Sequence, residues 1–152
     1  MRFRFVWPGK TKDERLRSLL EEYLKRLSRF AHCAVTEIRE STSGDGASKV
    51  KESQRTVEAL AGASAVIVLD EQGRELSSTE LADQIARWEQ ESVKEVALVI
   101  GGPEGLGREV KSRATAQWRM SRLTFTHEMA RVLIVEQLYR AYTINRGMPY
   151  QK

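Results

Sequence analysis

Two continuous apolar runs constrain this chain more than any other feature. They are Ala65-Val66-Ile67-Val68-Leu69 and Val96-Ala97-Leu98-Val99-Ile100. Neither alternates between apolar and polar residues, so each reads as a strand buried on both faces. Strands of that kind lie inside parallel sheets with helices on either side. The second run stops in a loop, Gly101-Gly102-Pro103-Glu104-Gly105-Leu106-Gly107, which holds four of the chain's ten glycines. Without a Cβ, backbone can approach a ligand or another segment closely. In open α/β proteins ligands bind at the carboxyl ends of the strands, where this loop sits.

The remaining pattern supplies the sheet's partners. Phe3, Phe5 and Trp7 alternate with Arg2, Arg4 and Val6 before Pro8-Gly9, which predicts a first strand and its exit turn. Leu16, Leu19, Leu20, Tyr23, Leu24 and Leu27 then recur at helical spacing, with a polar start at Thr11 or Asp13. Val35 and Ile38 mark a weaker strand over 33–39, and Ser41 to Gly46 reads as a polar loop. A second helix starts at Ser48, with Val50, Gln54, Val57, Leu60 and Ala61 along one side. Ser77 and Glu80 form a capping box ahead of Leu81, Ile85 and Trp88. After the glycine loop the pattern predicts a short helix over 108–117, a strand over 120–125, a long helix over 128–145 and a polar tail. Strands alternating with helices imply an α/β fold. With no internal repeat and no linker, residues 1–152 read as a single domain.

Several function classes are excluded or disfavoured. The glycine loop fails as a dinucleotide fingerprint, because Val110 stands where the third glycine belongs. It fails as a nucleoside-triphosphate loop, because Arg108-Glu109 replaces the lysine and hydroxyl that hold the γ-phosphate and magnesium. His32 and His127 are the only histidines and Cys33 the only cysteine, so no metal site and no internal disulfide is expected. Cys33 reads as a small apolar packing residue. No run approaches the ~18 apolar residues of a membrane span, and the N-terminus lacks a signal-peptide core, so the expected location is cytoplasmic. The net charge of +4 permits an anionic partner such as RNA. Taken alone, the glycine loop is either a ligand loop or merely a tight strand-to-helix connection.

A second segment decides between those readings. Ile100-Gly101-Gly102-Pro103-Glu104-Gly105 is followed by Ser121-Arg122-Leu123-Thr124-Phe125-Thr126-His127. Arg131-Val132-Leu133, Glu136-Gln137-Leu138-Tyr139-Arg140-Ala141 and a terminal Pro149-Tyr150 complete the pattern. Together they resemble the ribosomal RNA large subunit methyltransferase H family of the SPOUT superfamily, over essentially the whole chain. The resemblance implies a parallel sheet with helices on both faces and a C-terminal trefoil knot. It also implies a homodimer that uses S-adenosyl-L-methionine. The implied substrate is N3 of a pseudouridine in large-subunit rRNA of the assembled ribosome.

The same resemblance assigns site residues. Leu69, Gly101 and Gly102 would lie against the cofactor, with Ser121, Arg122, Leu123, Thr124, Phe125 and Thr126 forming the loop around it. Leu69 and Leu123 could sandwich the adenine ring. His127 is the first candidate to take the proton of the attacking imide, since histidine titrates near neutrality; its alternative is a residue that simply starts the last helix. Arg131, one turn later, could hold a phosphate or a uracil oxygen; its alternative is a surface or interface charge. Tyr150, in the tail, would complete the partner subunit's site. Gln151 stands where the family commonly has histidine, and Thr126 where it often has proline. Glu136, Gln137 and Arg140 fit dimer packing and knot support, and Tyr139 and Tyr142 fit the core or an interface. The competing function is a non-catalytic ribosome- or RNA-binding module on the same scaffold, suggested by Arg15, Arg17, Arg26 and Arg29. A nucleotide-dependent α/β enzyme of another class is opposed by the lysine missing from the glycine loop.

Overall fold

The computed structural model describes residues 1–41 and 46–150. Most of the predicted polar loop, and Gln151, lie outside the described residues. In chain order the elements are β1 (Arg2–Pro8), α1 (Glu14–Leu27), β2 (His32–Ile38), α2 (Gly46–Ala59), β3 (Ala65–Glu75) and α3 (Ser78–Gln90). They are followed by β4 (Glu95–Ile100), α4 (Arg108–Ser112), β5 (Ala116–Arg119) and α5 (His127–Asn145). The strands form one sheet in the order β2-β1-β4-β3-β5, and every pairing is parallel.

The apolar runs dictate this layering. β4 is buried along its length, with Val96, Leu98 and Ile100 on one face and Ala97 and Val99 on the other. The first face packs with Phe3, Phe5, Trp7 and Ile67 against α1, α3 and α5. The second packs with Val6, Val66 and Val68 against the helices α2 and α4, through Val57, Ala59 and Val110, with Leu60 just after α2. Helices thus cover both faces, the arrangement a parallel sheet requires. The capping box forms: Glu80 N–H donates to Ser77 Oγ at 3.1 Å, and Ser77 N–H to Glu80 Oε2 at 2.7 Å. Cys33 packs at the edge of the main core, where burial pushes its thiol up to about 12. Among the described residues no helix is long and apolar enough to cross a membrane.

Four expectations need correction. The strand expected at 120–125 lies at Ala116–Arg119, and the helix before it ends at Ser112. Trp118 explains the shift: it is buried and stacks on Trp88 with ring centroids 5.8 Å apart, whereas Leu123 is 73% exposed. The apolar residues of 120–125 therefore do not face a sheet neighbour. The second helix starts at Gly46 rather than Ser48, and Val50 is 51% exposed; Thr56 is the buried position. β3 also runs past Leu69 to Glu75, interrupted by an irregularity between Leu69 and Arg74, so that Trp118 pairs with both residues.

That irregularity explains one glycine. A Cβ on Gly73 would fall 2.5 Å from the Trp118 carbonyl carbon and 2.7 Å from its amide nitrogen. Both obstacles are backbone and cannot swing aside. Gly73→Ala should therefore cost about 1–3 kcal/mol, the usual range for overpacking. Urea unfolding should show a lower midpoint with an unchanged slope.

Candidate active site at the carboxyl edge of the sheet

Because every strand pair is parallel, Pro8, Ile38, Ile100 and Arg119 end at one edge, beside Leu69, the last β3 residue paired with β4. Two clefts open there. The first, of about 330 Å³, has apolar walls from Leu69, Trp118, Phe125 and Ile134. Its polar groups include Ser78 and Gln137. Ser78 Oγ donates to Gln137 Oε1 at 2.6 Å, and the Gln137 amide donates to Glu136 Oε2 at 2.8 Å. The second, of about 460 Å³, lies between Pro8, the glycine loop and α2, and carries Glu40, Lys49, Glu52 and Ser53.

The carried-over cofactor positions divide between these clefts. Leu69 and Phe125 line the first and Gly102 the second. Leu69 pairs with Ile100, which places Gly101 directly after the residue beside the first cleft's wall. The glycine loop closes on itself: Gly105 N–H donates to Gly102 O at 2.9 Å, with Gly105 at φ +78°. A Cβ on Gly101 would meet Gly105 backbone at 2.7 Å, and one on Gly102 would come within 3.3 Å of Pro8 Cγ.

The segment after β5 is tied down from below. Arg119 Nε donates to Ser121 O at 3.1 Å, and its Nη1 to Glu71 O at 3.2 Å. Ser121 Oγ accepts from Leu123 N–H at 3.0 Å. This turn leaves Arg122, Leu123 and Thr124 exposed. Phe125, rather than Leu123, therefore shares the first cleft with Leu69. Thr126 caps α5 by accepting from Met129 N–H at 3.3 Å.

His127 is the first residue of α5 and is partly exposed. Burial, and then the positive charge of Arg131, hold its imidazole below the ordinary histidine range; Glu128 and Glu40 act in the opposite direction. A neutral imidazole can accept a proton at neutral pH. Arg131 is fully buried. Its guanidinium donates to Pro8 O, Gly9 O and Thr11 Oγ1.

Tyr150 lies at the other end of α5. Its hydroxyl donates to Glu136 Oε1 at 2.8 Å and sits 3.1 Å from the Tyr23 hydroxyl. Arg140 grips the same carboxylate at 3.0 and 2.6 Å and stacks over the Tyr150 ring. From His127 to Glu136 the helix rises about 14 Å at 1.5 Å per residue. One chain thus separates two residues that the resemblance assigns to one reaction. Burial and these hydrogen bonds also push the Tyr150 phenol far above its ordinary value, so it stays protonated. Gln137, read from the motif as a dimer-packing or knot-supporting residue, lines the first cleft. Its signal was periodicity, since it follows Leu133 and Ile134 at helical spacing toward the same cleft.

Comparison with known proteins gives a consistent result. A family profile described as "Predicted SPOUT methyltransferase" matches residues 1–151. The chain is 40% identical over 154 residues to ribosomal RNA large subunit methyltransferase H of Anaeromyxobacter sp. (strain Fw109-5), covering 100% of both chains. It is 39% identical over 151 residues to the protein of that name from Geobacter sulfurreducens, covering 99% of each. Its fold resembles a "probable methylase family protein" of Haemophilus influenzae, with a TM-score of 0.60 at 14% identity over 99% of this chain and 70% of that one. It also resembles a Legionella pneumophila methyltransferase solved with bound SAM, with a TM-score of 0.52 at 9% identity over 93% and 66%. The parallel α/β sheet, the full-length profile match and the full-length relatives agree: the chain belongs to the SPOUT methyltransferases, within the ribosomal RNA large subunit methyltransferase H family.

Proposed function

We propose that the chain methylates N3 of a pseudouridine in the large-subunit rRNA of the assembled ribosome, using S-adenosyl-L-methionine, as a homodimer. The observation that carries this reading is the apolar cleft at the carboxyl edge, two residues before a histidine kept neutral. The cleft's volume lies within the range that takes small-molecule cofactors. Leu69, Trp118, Phe125 and Ile134 suit an adenine ring and a thioether stem, while Ser78 and Gln137 supply hydrogen-bonding groups. When bound, the cofactor supplies an electrophilic methyl on a sulfonium. The protein's contribution is positioning, which matters whenever two reactants must meet at near-attack distance. Gly101 and Gly102 would offer backbone to the cofactor, and the loop Ser121 through Thr126, which brings Phe125 to the cleft, would close around it. His127 accepts the imide proton.

Residues 1–152 act as one catalytic domain. Tyr150 acts in the partner's site, a role supported by its separation from His127 within one chain. Exposed Arg15, Arg17 and Arg29 meet RNA phosphates, a part that buried Arg131 cannot take. The match to the SPOUT profile over residues 1–151 supports a chain whose C-terminal part threads a loop as a trefoil knot.

Calorimetry should detect S-adenosyl-L-methionine binding at one site per chain or per dimer; folded protein with no binding heat would overturn the reading. Phe125→Ala, at a residue 37% exposed, should weaken binding about tenfold, or ~1.4 kcal/mol, with unchanged circular dichroism. The acid limb of kcat/KM should fall below about pH 6.5, because a depressed pKa keeps His127 unprotonated to lower pH. His127→Gln should remove that limb and lower kcat by roughly 10²-fold or more. Mass spectrometry of rRNA from cells lacking the gene should show the loss of one methyl group. An intact methylated nucleotide would favour the non-catalytic ribosome-binding module.

A further inference from the structure

Arg131 is the least expected buried side chain in the fold. Its side chain is 0% exposed, yet its hydrogen-bond acceptors are neutral oxygens. Nη2 donates to Pro8 O at 2.6 Å, and Nη1 donates to Gly9 O at 3.2 Å and Thr11 Oγ1 at 3.0 Å. The guanidinium lies 4.9 Å above the Trp7 ring, and Nε has no partner. A buried charge is expensive, and an apolar residue of similar volume often packs as well or better. Stability alone therefore does not account for an arginine here.

The neighbouring contacts show what the arginine holds. Glu128, in the same first turn of α5, accepts from Asp13 N–H at 3.0 Å. Two side chains of one turn thus fasten the connection between β1 and α1. That connection begins at Pro8, which also bounds Gly102. The β1 exit and the start of α5 are therefore registered through a single guanidinium.

We propose that Arg131 is a positioning residue: it clamps the β1 exit to the first turn of α5 and so sets the place and electrostatic surroundings of His127. The charged groups that act on His127 are Arg131 and Glu128 from its own helix, Lys12 from the β1–α1 connection and Glu40 from the segment after β2. Glu37 and Glu40 also act on Arg131, through space rather than by hydrogen bonds. Arg131 is the cation one helical turn from the imidazole, and it opposes imidazolium formation. The proposal rests on the methyl-transfer reading only for the use to which His127 is put.

Imidazole NMR titration of the full chain tests it without cofactor or RNA. Only His32 and His127 contribute signals, and His127→Gln assigns them. In the wild-type protein His127 should titrate below about 6.5, and a value at or above that overturns the proposal whatever the variants do. Arg131→Met should raise the His127 midpoint by about half a unit or more, whereas Arg131→Lys, which keeps the charge, should leave it low. An unmoved midpoint in a folded Arg131→Met protein overturns the proposal. Thr11→Val removes one clamp bond but no charge. It should leave the titration in place and speed amide exchange at Gly9, Lys10 and Lys12; unchanged exchange there would refute the clamp. Failure of cofactor binding with these titrations as expected would overturn the methyl-transfer reading and leave the clamp standing.

Discussion

The two-sided burial of β4 governs the rest of the structure. A strand with Val96, Leu98 and Ile100 on one face and Ala97 and Val99 on the other cannot sit at the edge of a sheet or under a single layer of helices. It needs a strand on each side and a helix layer above and below. β1 and β3 flank it in parallel, and that direction brings their carboxyl ends to the same edge. The candidate site follows from this. Backbone at the ends of buried parallel strands has no further ladder partner and is free to face a ligand.

The two faces are unequal, and the inequality allocates the chemistry. The face carrying Ala97 and Val99 is shallow and takes the short α4 and the half-buried α2. The face carrying Phe5, Trp7 and Leu98 is deep and takes α5, which is buried along much of its length. A helix packed between α1, α3 and the sheet cannot reorient without losing contacts on all sides. Residues fixed to it are therefore held rigidly: His127 and Arg131 at its start, Gln137 against the cleft, Glu136 and Arg140 below the tail. Rigid elements make more precise sites than loops do.

Periodicity and capping made most of the scaffold legible from sequence. The runs in β3 and β4, the alternation in β1, the capping box of α3 and the amphipathic α1 are local patterns with local causes. β5 was misplaced because its four residues owe their pairing to Trp118 stacking on Trp88, a contact between distant segments. The same limit applies within the site. Leu123 and Phe125 are both apolar members of one motif, and only the turn closed by Ser121 shows which of them faces the cleft. Arg131 follows His127 by one turn, a spacing that suggested a ligand contact. Its burial depends on Trp7, Pro8 and Thr11, more than a hundred residues earlier, and no reading of α5 alone could supply them.

The tail poses a different constraint. Tyr150 is fixed by Glu136, Tyr23 and the Arg140 stack, and its ring meets Tyr139 edge-on at 4.9 Å. Releasing it to reach His127 of the same chain would break these contacts and leave Glu136 bound only by Arg140 and Gln137. The proposed two-fold dimer would remove that cost, since the tail end of one α5 could face the His127 end of the other while both docks stay intact. Symmetry then makes the arrangement reciprocal, since a two-fold interface presents the same patches twice. In the proposed dimer, the order of Glu136, Arg140 and Tyr150 would be a precondition for a shared site rather than an obstacle to it.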